Sequence, residues 1–348
     1  MQSQIIEALK KIIENEDAEE DDIAQELQNL VYDIESRKDE YGEGEALSSL
    51  LDQNLEIIKN GESYLGRIYT GYSQLDKAIN GFLPEELIVI GGRPGIGKTA
   101  LTINMMLHIS KEFPVLYFNL DSSNLTISQR ILGMILEIPI EKLRNSSCKD
   151  EVELILAEDS PNIHQYKLYF NHHYDKSLNS FKAYCKKEID SKGIRVIVID
   201  HLQSMSINNF KYNRDQEISK VTAFLKKMAS EFNIIIIATS QLSRANEIRG
   251  GSKTPQLSDL RESGSIEQNA NKVFLIHRPE YYGITETAEG QNTIGLMQII
   301  VAKNDSGNTG DIWLKLRPEN SKIEDLKQIE TFSFDNSRLN EFDDEVPF

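Results

Sequence analysis

Residues 92–99 form a glycine-rich segment, GRPGIGKT, whose residue types and spacing are typical of a phosphate-binding loop. Its glycines let backbone N–H groups turn toward phosphate oxygens, and a helix that opens there adds a favourable field for an anion. Lys98 is predicted to reach the β- and γ-phosphates, and Thr99 to hold Mg²⁺. The segment therefore predicts a site for ATP with Mg²⁺. The predicted nucleotide-binding residues are Gly92, Arg93, Pro94, Gly95, Ile96, Gly97, Lys98, Thr99 and Ala100.

A second acidic residue must help to hold the metal ion, and Asp200 is the candidate. It ends the run IRVIVID, in which apolar residues lead directly to an acid. In open α/β sheets, ligands bind outside the carboxyl ends of the strands. Thr99 and Asp200 are therefore the predicted metal-site residues. The alternative is that the Asp200 carboxylate only caps the segment that follows it.

Short apolar runs alternate with helical segments from residue 86 onward, and these elements must position the phosphate loop and Asp200. Such alternation is typical of an α/β fold with a mostly parallel, doubly wound sheet. After residue 270 the apolar runs follow one another directly, which predicts a β-rich C-terminal edge. The predicted strands are 86–92, 115–120, 167–170, 195–200, 234–240, 272–277, 295–303 and 310–316. The predicted helices between them are 98–112, 125–137, 177–191 and 214–231.

Three amphipathic segments, 3–14, 22–37 and 45–60, precede this region and are predicted to be helices. The third leads directly into the main domain, and its apolar face is suited to the surface of a neighbouring subunit. The chain is thus expected to divide into four parts. They are a small acidic helical region (1–44), a linker helix (45–62), the α/β domain (63–323) and an acidic tail (324–348).

The net charge of −17 over 348 residues is unevenly distributed. Residues 1–62 carry 18 acidic and 5 basic side chains, and residues 324–348 carry 8 and 2. The middle of the chain is therefore close to neutral at +2, so the acidic composition does not exclude nucleic acid as a partner. No apolar run approaches the ~20 residues that span a bilayer. Two cysteines without metal-ligand spacing argue against a disulfide framework and a zinc site, and the expected location is the cytoplasm.

Several segments resemble the C-terminal ATPase domain of DnaB-type replicative helicases in both order and spacing, over roughly residues 64–317. They are TGYSQLDKAINGF, ELIVIGGRPGIGKTAL, VIVIDHLQSM, IATSQLSR, LSDLRESGSIEQNAN and IIVAKNDSGNTG. The pair SQLSR and DLRESGSIEQ is more specific than any phosphate loop. The resemblance implies a RecA-like domain in a hexameric ring that moves 5′ to 3′ along single-stranded DNA as it hydrolyses ATP.

The resemblance also implies roles for particular residues. Lys98 and Thr99 bind phosphate and Mg²⁺, Asp200 is the second metal-side acid, and Gln241 senses the γ-phosphate. The helix at 45–60 resembles the linker helix that docks on the adjacent subunit. The residues implied to face the DNA backbone, where they would position the strand without reading its sequence, are Arg261, Glu262 and Gly264.

Two positions depart from the family pattern. The catalytic glutamate of the family is here Asp121, and the arginine finger of the AKxR segment is replaced by Asp305, which leaves Lys303. An arginine finger is worth roughly 10³–10⁵ in rate, so hydrolysis is expected to be slower than in the family or to need a partner subunit. Arg317 is a candidate substitute for the finger. The predicted catalytic residues are Lys98, Asp121, Asp200, Gln241 and Lys303.

These departures leave alternatives to a DNA helicase of DNA replication. The first is a catalytically weakened ATP-binding ring or clamp, or a regulatory scaffold that acts with a true helicase. The second is a RecA- or RadA-like strand-exchange ATPase, which the segment DLRESGSIEQ argues against. The short region before residue 45 leaves little room for the helical collar through which the family meets primase.

Two further segments have open interpretations. The terminal residues EFDDEVPF resemble the tips of single-stranded-DNA-binding proteins, which suggests docking to replication proteins; the alternative is a solubilising tail. Tyr281 and Tyr282 follow an Arg-Pro pair and are expected to pack a turn or to cover the edge of the ATP site.

Overall fold

The computed structural model of the protein describes residues 46–59, 66–158, 165–171, 177–205, 207, 214–243, 253–260, 263–286, 290 and 292–326. The predicted helices 3–14 and 22–37 and the terminal segment EFDDEVPF lie outside these residues. The chain divides into two compact units, Met1–Leu65 and Gly66–Phe348. In the first unit the described residues form helix α1 (Leu47–Lys59), which confirms the helix predicted over 45–60.

One sheet forms the centre of the second unit. Its strands are β1 (Leu87–Gly92), β2 (Val115–Asn119), β3 (Leu168–Asn171), β4 (Val196–Asp200), β5 (Ile235–Gln241), β6 (Lys272–His277), β7 (Leu296–Asn304), β8 (Gly310–Arg317) and β9 (Lys322–Asp325). They lie in the order β3-β2-β4-β5-β1-β6-β7-β8-β9. Pairing is parallel from β3 to β6 and antiparallel from β6 to β9. The predicted mostly parallel α/β sheet with a β-rich C-terminal edge is confirmed.

Helices cover the sheet. They are α2 (Ser73–Ile79), α3 (Lys98–Ile109), α4 (Asn124–Leu136), α5 (Ile140–Arg144), α6 (Lys149–Glu158), α7 (Leu178–Lys192), α8 (Arg214–Glu231) and α9 (Ser263–Asn269). Short 3₁₀ turns lie at Leu202–Ser204, Leu257–Asp259 and Pro279–Tyr282. Helices α3, α4, α7 and α8 confirm the four helices predicted between strands.

The strands alternate their apolar side chains between two cores, one on each face of the sheet. In β1, Ile88 and Ile90 belong to the core that contains α3, whereas Leu87 and Val89 belong to the core that contains α8. A parallel strand that is buried on both faces reads as a continuous apolar run, which is why LIVIG was recognisable.

Helices α5 and α6 and strand β9 were not predicted. The first two are short, charged segments that pack on a small apolar cluster around Ile138 and Cys148, so their apolar periodicity is weak. Strand β9 extends two residues into the predicted tail 324–348, because Ile323 is buried and Arg317 pairs with Lys322 in the ladder.

A buried ion pair joins the beginnings of β1 and β6. The Lys272 side chain is fully buried and its ammonium contacts the carboxylate of Glu86, which also accepts a hydrogen bond from the Leu83 N–H at 2.9 Å. Burial lowers the pKa of Lys272, and the Glu86 carboxylate partly opposes this. Neither charge has solvent to replace its partner.

We expect Lys272→Met to lower the free energy of unfolding by about 3–5 kcal/mol, because it leaves the Glu86 carboxylate buried without its cation. The double variant Glu86→Gln/Lys272→Met should recover most of this loss. Urea unfolding, followed by the fluorescence of Trp313, measures both. The matched control is Lys182→Met, which breaks the more exposed 2.8 Å pair with Glu231 and should cost at most about 1 kcal/mol. Equal losses for the two lysine variants would contradict the prediction.

Candidate nucleotide and metal site

The phosphate loop joins the end of β1 to the start of α3. Gly95 and Gly97 have φ values of 74° and 117°, in the left-handed region that favours glycine. A Cβ on Gly97 would lie 2.7 Å from the terminal methyl group of Met297, so the Met297 side chain would have to shift to admit it. Ile96 is fully buried and anchors the loop in the core. The backbone thus turns where the motif predicted.

Lys98 and Arg93 hold different parts of this loop. The Lys98 ammonium donates to the carbonyl oxygens of Gly92 (2.9 Å) and Arg93 (3.1 Å). Burial lowers the pKa of Lys98 to about 8, while the charges of Asp200 and Asp121 act in the opposite direction. The Arg93 guanidinium instead donates to the Leu242 carbonyl at 2.8 Å and is 8% exposed. Lys98 thus contacts the inner side of the loop itself, whereas Arg93 ties the loop to the end of β5.

Asp200 and Thr99 lie together, as predicted for a metal site. The Thr99 hydroxyl donates to Oδ2 of Asp200 at 2.7 Å. The same oxygen accepts the hydroxyl of Tyr117 at 2.8 Å, and Oδ1 accepts that of Thr239 at 2.5 Å. Asp200 bonds to three other elements of the domain, so the alternative capping role does not describe its geometry. A hydroxyl and a carboxylate are oxygen ligands suited to Mg²⁺, with phosphate and water to complete the shell.

Gln241 ends β5 directly beside the phosphate loop, because it pairs in register with Gly92. Its side-chain nitrogen lies 3.0 Å from Nε2 of His201, and its backbone N–H donates to the Gln203 side chain at 3.1 Å. The segment after β4 therefore holds Gln241 by both side chain and backbone. The side-chain amide therefore rests on His201, while the backbone pairing places the residue beside the phosphate loop.

Asp121 lies at the exposed turn after β2, and its charge acts to raise the pKa of Lys98. The turn is fixed by Asn119, whose side-chain oxygen accepts the Ser122 N–H at 3.1 Å. The Leu120 N–H also donates to the Asp200 carbonyl at 2.9 Å. Asp121 therefore lies on a turn after β2 that hydrogen bonds hold in place, one of them to the end of β4.

A cavity of about 550 Å³ opens beside the loop. Glycines of the loop, Lys98 and Thr99 form its floor, and the segments 139–144 and 316–321 form its walls. Sequence reasoning missed three cations in its lining, Arg130, Arg144 and Arg278. Arg130 is a basic residue in the middle of α4, the helix that follows a strand of the site. The sequence offers no comparable pattern for Arg144 and Arg278, because α5 and the turn after β6 are too short to show an apolar periodicity.

Lys303 and Asp305 lie at the end of the sheet opposite the phosphate loop. Lys303 pairs with Val273 near the start of β6, and β6 runs parallel to β1. Val273 is in register with Val89 of β1, so Lys303 lies two strands from β1 and three residues, roughly 10 Å, before the level of Gly92. Its ammonium contacts the carbonyls of Glu267 (2.8 Å) and Ala270 (2.7 Å) at the end of α9, and Asp305 at 3.2 Å.

This placement bears on two predictions. Lys303 lies away from the phosphate loop of its own chain, so its predicted catalytic role would require the nucleotide of another copy. Arg317 lies at the same end of the sheet as the phosphate loop, between cavity residues Leu316 and Pro318, and its role as a substitute for the missing finger stays a prediction. There it pairs with Glu324 at 2.9 Å.

The predicted DNA-facing loop is described only in part. Arg261 and Glu262 lie outside the described residues, and Gly264 is exposed in the first turn of α9. The stem of this loop is bridged to the end of β5, since Leu242 pairs with Leu260 and the Ser243 N–H donates to the Asp259 carbonyl at 2.7 Å. The loop therefore leaves the sheet next to Gln241.

Tyr281 and Tyr282 cover the outer rim of the phosphate loop. The Tyr281 hydroxyl donates to the Pro94 carbonyl at 3.1 Å. Tyr282 stacks on the His277 ring at a centroid distance of 5.5 Å. Both tyrosines therefore pack a turn that rests on the loop. This matches the expected position at the edge of the site.

Comparison with known proteins agrees with this geometry. The model of the DnaB-like helicase C terminal domain family matches residues 67–325. The chain belongs to this family. Among its relatives, a probable replicative DNA helicase of Trieres chinensis is 35% identical over 271 residues, which cover 77% of this chain and 59% of the relative. The replicative DNA helicase DnaB of Geobacillus stearothermophilus is 32% identical over 278 residues, 79% of this chain and 60% of the relative.

The DnaB-like fold is also seen in solved structures. The structure of a DnaB-like replicative helicase, described with its interactions with primase, has a TM-score of 0.70 at 25% identity and covers 94% of this chain and 77% of that chain. The chain spans about three fifths of the length of the curated relatives that it matches. Membership of this family favours the DnaB-type interpretation over a strand-exchange ATPase. No described helix has the length and apolar character needed to cross a membrane.

We expect the buried His277 to make stability depend on pH. Burial lowers its pKa to about 4, whereas an unfolded imidazole titrates near 6.5. The unfolded state therefore binds the proton first, so stability is complete above pH 6.5 and falls as the pH drops toward 4. Between pH 7 and pH 4.5 this residue should remove about 2–3 kcal/mol. Urea unfolding at both pH values measures the loss, which should be smaller in His277→Phe. An equal loss in the variant would contradict the assignment.

Proposed function

We propose that the protein is an ATP-dependent DNA helicase of DNA replication, a RecA-like motor that acts as a ring on single-stranded DNA. The observation that carries the proposal is the 2.7 Å bond between Thr99 and Asp200 at the phosphate loop, beside a cavity lined by Lys98 and three arginines. Hydroxyl, carboxylate and clustered cations together suit a magnesium-bound triphosphate. Membership of the DnaB-like helicase family supports DNA as the polymer along which the protein moves.

Each residue of the site has a defined task in this proposal. Lys98 exchanges its two loop carbonyls for the β- and γ-phosphate oxygens, which offer it full negative charge. Thr99 and Asp200 hold Mg²⁺, which would neutralise charge that develops on the phosphates. Asp121 orients the attacking water, and Gln241 contacts the γ-phosphate. Arg130 adds positive charge around the nucleotide, and Arg278, which is paired with Glu280, lines the same cavity.

The site of one chain is completed by another in this proposal. Lys303 lies at the far edge of the sheet and can reach a nucleotide only across a subunit interface, which favours a closed ring, most simply a hexamer. To do so, its ammonium must leave the carbonyls of Glu267 and Ala270. Arg261, Glu262 and Gly264 would contact the DNA backbone in the centre of the ring.

The linker role of α1 is part of the same proposal. Leu47, Leu51 and Leu55 are spaced by four residues and are 70%, 52% and 50% exposed. Three leucines in one row on a helix are suited to burial against an apolar partner surface. We assign that partner to the adjacent subunit of the ring. The tail EFDDEVPF would dock to other replication proteins, in the cytoplasm.

A second function is favoured by one observation. Asp305 occupies the finger position and is already held by Lys303 and by the Asn271 amide at 3.2 Å. A negative charge at this position would repel the phosphates, whereas an arginine finger would neutralise their charge. The alternative is therefore a ring that binds ATP, hydrolyses it weakly and clamps DNA or regulates another helicase.

ATP hydrolysis with and without single-stranded DNA tests the proposal. We expect turnover in the wild-type protein that DNA stimulates, and loss of that turnover in Lys98→Ala, because the phosphates lose their cation. The control is Lys111→Ala, which removes a lysine just after the C-terminal end of α3, the helix that begins at Lys98. Binding of nucleotide without turnover under any DNA condition would favour the clamp.

Asp305→Arg tests whether the finger position is still functional. We expect the variant to hydrolyse ATP at least about tenfold faster than wild type, since a finger can contribute roughly 10³–10⁵. Asp305→Ala is the matched control, because it removes the negative charge without adding an arginine. Equal rates for the arginine and alanine variants would show that only the charge of Asp305 matters and would contradict the finger role.

A further inference from the structure

Tyr117 lies in the middle of β2 with its ring in the core and its hydroxyl on the Asp200 carboxylate. The residue is fully buried and its ring packs edge-to-face on Phe170 at 5.6 Å. The hydroxyl donates to Oδ2 of Asp200 at 2.8 Å, and the Thr102 side chain also hydrogen-bonds to it. Burial and the charge of Asp200 raise the pKa of Tyr117 well above 10, so the group is a donor throughout the physiological range.

The two oxygens of Asp200 are therefore held from opposite sides. Tyr117 on β2 bonds Oδ2, and Thr239 on β5 bonds Oδ1 at 2.5 Å. Rotation of the carboxyl plane would break one or both bonds. The third donor, Thr99, has a single hydroxyl hydrogen and gives it to Oδ2 at 2.7 Å.

This arrangement decides where the lone pairs of Thr99 point. A hydroxyl that donates its only hydrogen to Asp200 keeps both oxygen lone pairs available for a metal ion. If Asp200 turns away, the Thr99 hydroxyl is free to rotate and its lone pairs lose their direction. Groups outside the first coordination shell orient metal ligands in this way.

We propose that Tyr117 is a positioning residue for the magnesium ion: its hydroxyl holds Asp200 in the orientation that directs Thr99 at the metal. The inference rests on the proposed nucleotide function, and it adds a residue on β2 that the phosphate-loop motif does not contain. Loss of such an outer partner typically costs 10–100-fold in metal affinity or activity. The Tyr117 hydroxyl acts on the metal only through Asp200, so its removal should spare nucleotide binding that needs no metal.

Metal binding measured without turnover tests the role. Mn²⁺ serves as the probe, and its electron paramagnetic resonance signal is followed as it is added to the full chain with ADP. We expect Tyr117→Phe to weaken Mn²⁺ binding by at least about tenfold, while ADP binding in EDTA stays unchanged. A dissociation constant for Mn²⁺ within about twofold of wild type would overturn the proposal.

A double-mutant cycle separates positioning from a purely structural effect. If Tyr117 acts through Asp200 and Thr99, Tyr117→Phe should have a clearly smaller effect on Mn²⁺ binding in a Thr99→Ala background, where only the contribution of Asp200 remains. An equal tenfold loss in both backgrounds would overturn the route through Thr99. Thr239→Val removes the opposite contact and should weaken Mn²⁺ binding in the same direction, which supplies a second variant if Tyr117→Phe folds poorly.

The control removes a hydroxyl from another tyrosine. Tyr184 of α7 packs against Phe118 of β2 at 5.8 Å, away from the carboxylate. Tyr184→Phe should leave Mn²⁺ binding unchanged, and a tenfold loss there would overturn the specific role of Tyr117. If the wild-type protein bound no Mn²⁺ with ADP, the proposed nucleotide function itself would fail. Wild-type binding that Tyr117→Phe leaves intact would refute only the present inference.

Discussion

The hydrogen bonds on the Asp200 carboxylate join the elements that build the nucleotide site. Through them, the end of β4 is tied to the first turn of α3, to β2 and to β5. The carboxylate is 6% exposed, so an unmade bond at this point has no solvent to replace it. Because these bonds are short and come from three directions, the relative positions of loop, strand ends and Asp200 have little freedom.

The parallel half of the sheet explains why a few strands and their loops are enough to build the nucleotide site. β1, β2, β4 and β5 all end at one edge, so the phosphate loop, Asp121, Asp200 and Gln241 meet there although they are distant in sequence. The antiparallel strands break this rule. β7 runs against β6 and carries Lys303 to the opposite edge, while β8 returns Arg317 to the nucleotide side. Strand direction alone therefore separates two cations that look equivalent in sequence.

The predictable part of the molecule is the part in which local pattern and burial agree. Continuous apolar strands and a glycine-rich turn have a sequence signature, so the sequence alone predicts that Thr99 and Asp200 lie together. Tyr117 was not, since an aromatic residue in a strand is most simply core, and only the third dimension shows its hydroxyl on Asp200. Arg144 lies on a five-residue helix that is held by a small local cluster. Its periodicity is too short to recognise.

The two edges of the sheet bear on how ATP chemistry would reach DNA. Lys303 contacts the final carbonyls of α9, the helix that begins beside the predicted DNA-facing loop. In a ring, the same ammonium would be drawn to the nucleotide of a neighbour. In the proposed ring, contact with that nucleotide would draw the ammonium away from these carbonyls, because the backbone of Lys303 is paired within β7. Nucleotide state in one subunit would then change how firmly the C-terminus of α9 is held in the next, and through α9 the position of the loop near the DNA. Such a coupling needs no long-range pathway, only one lysine with two competing sets of acceptors.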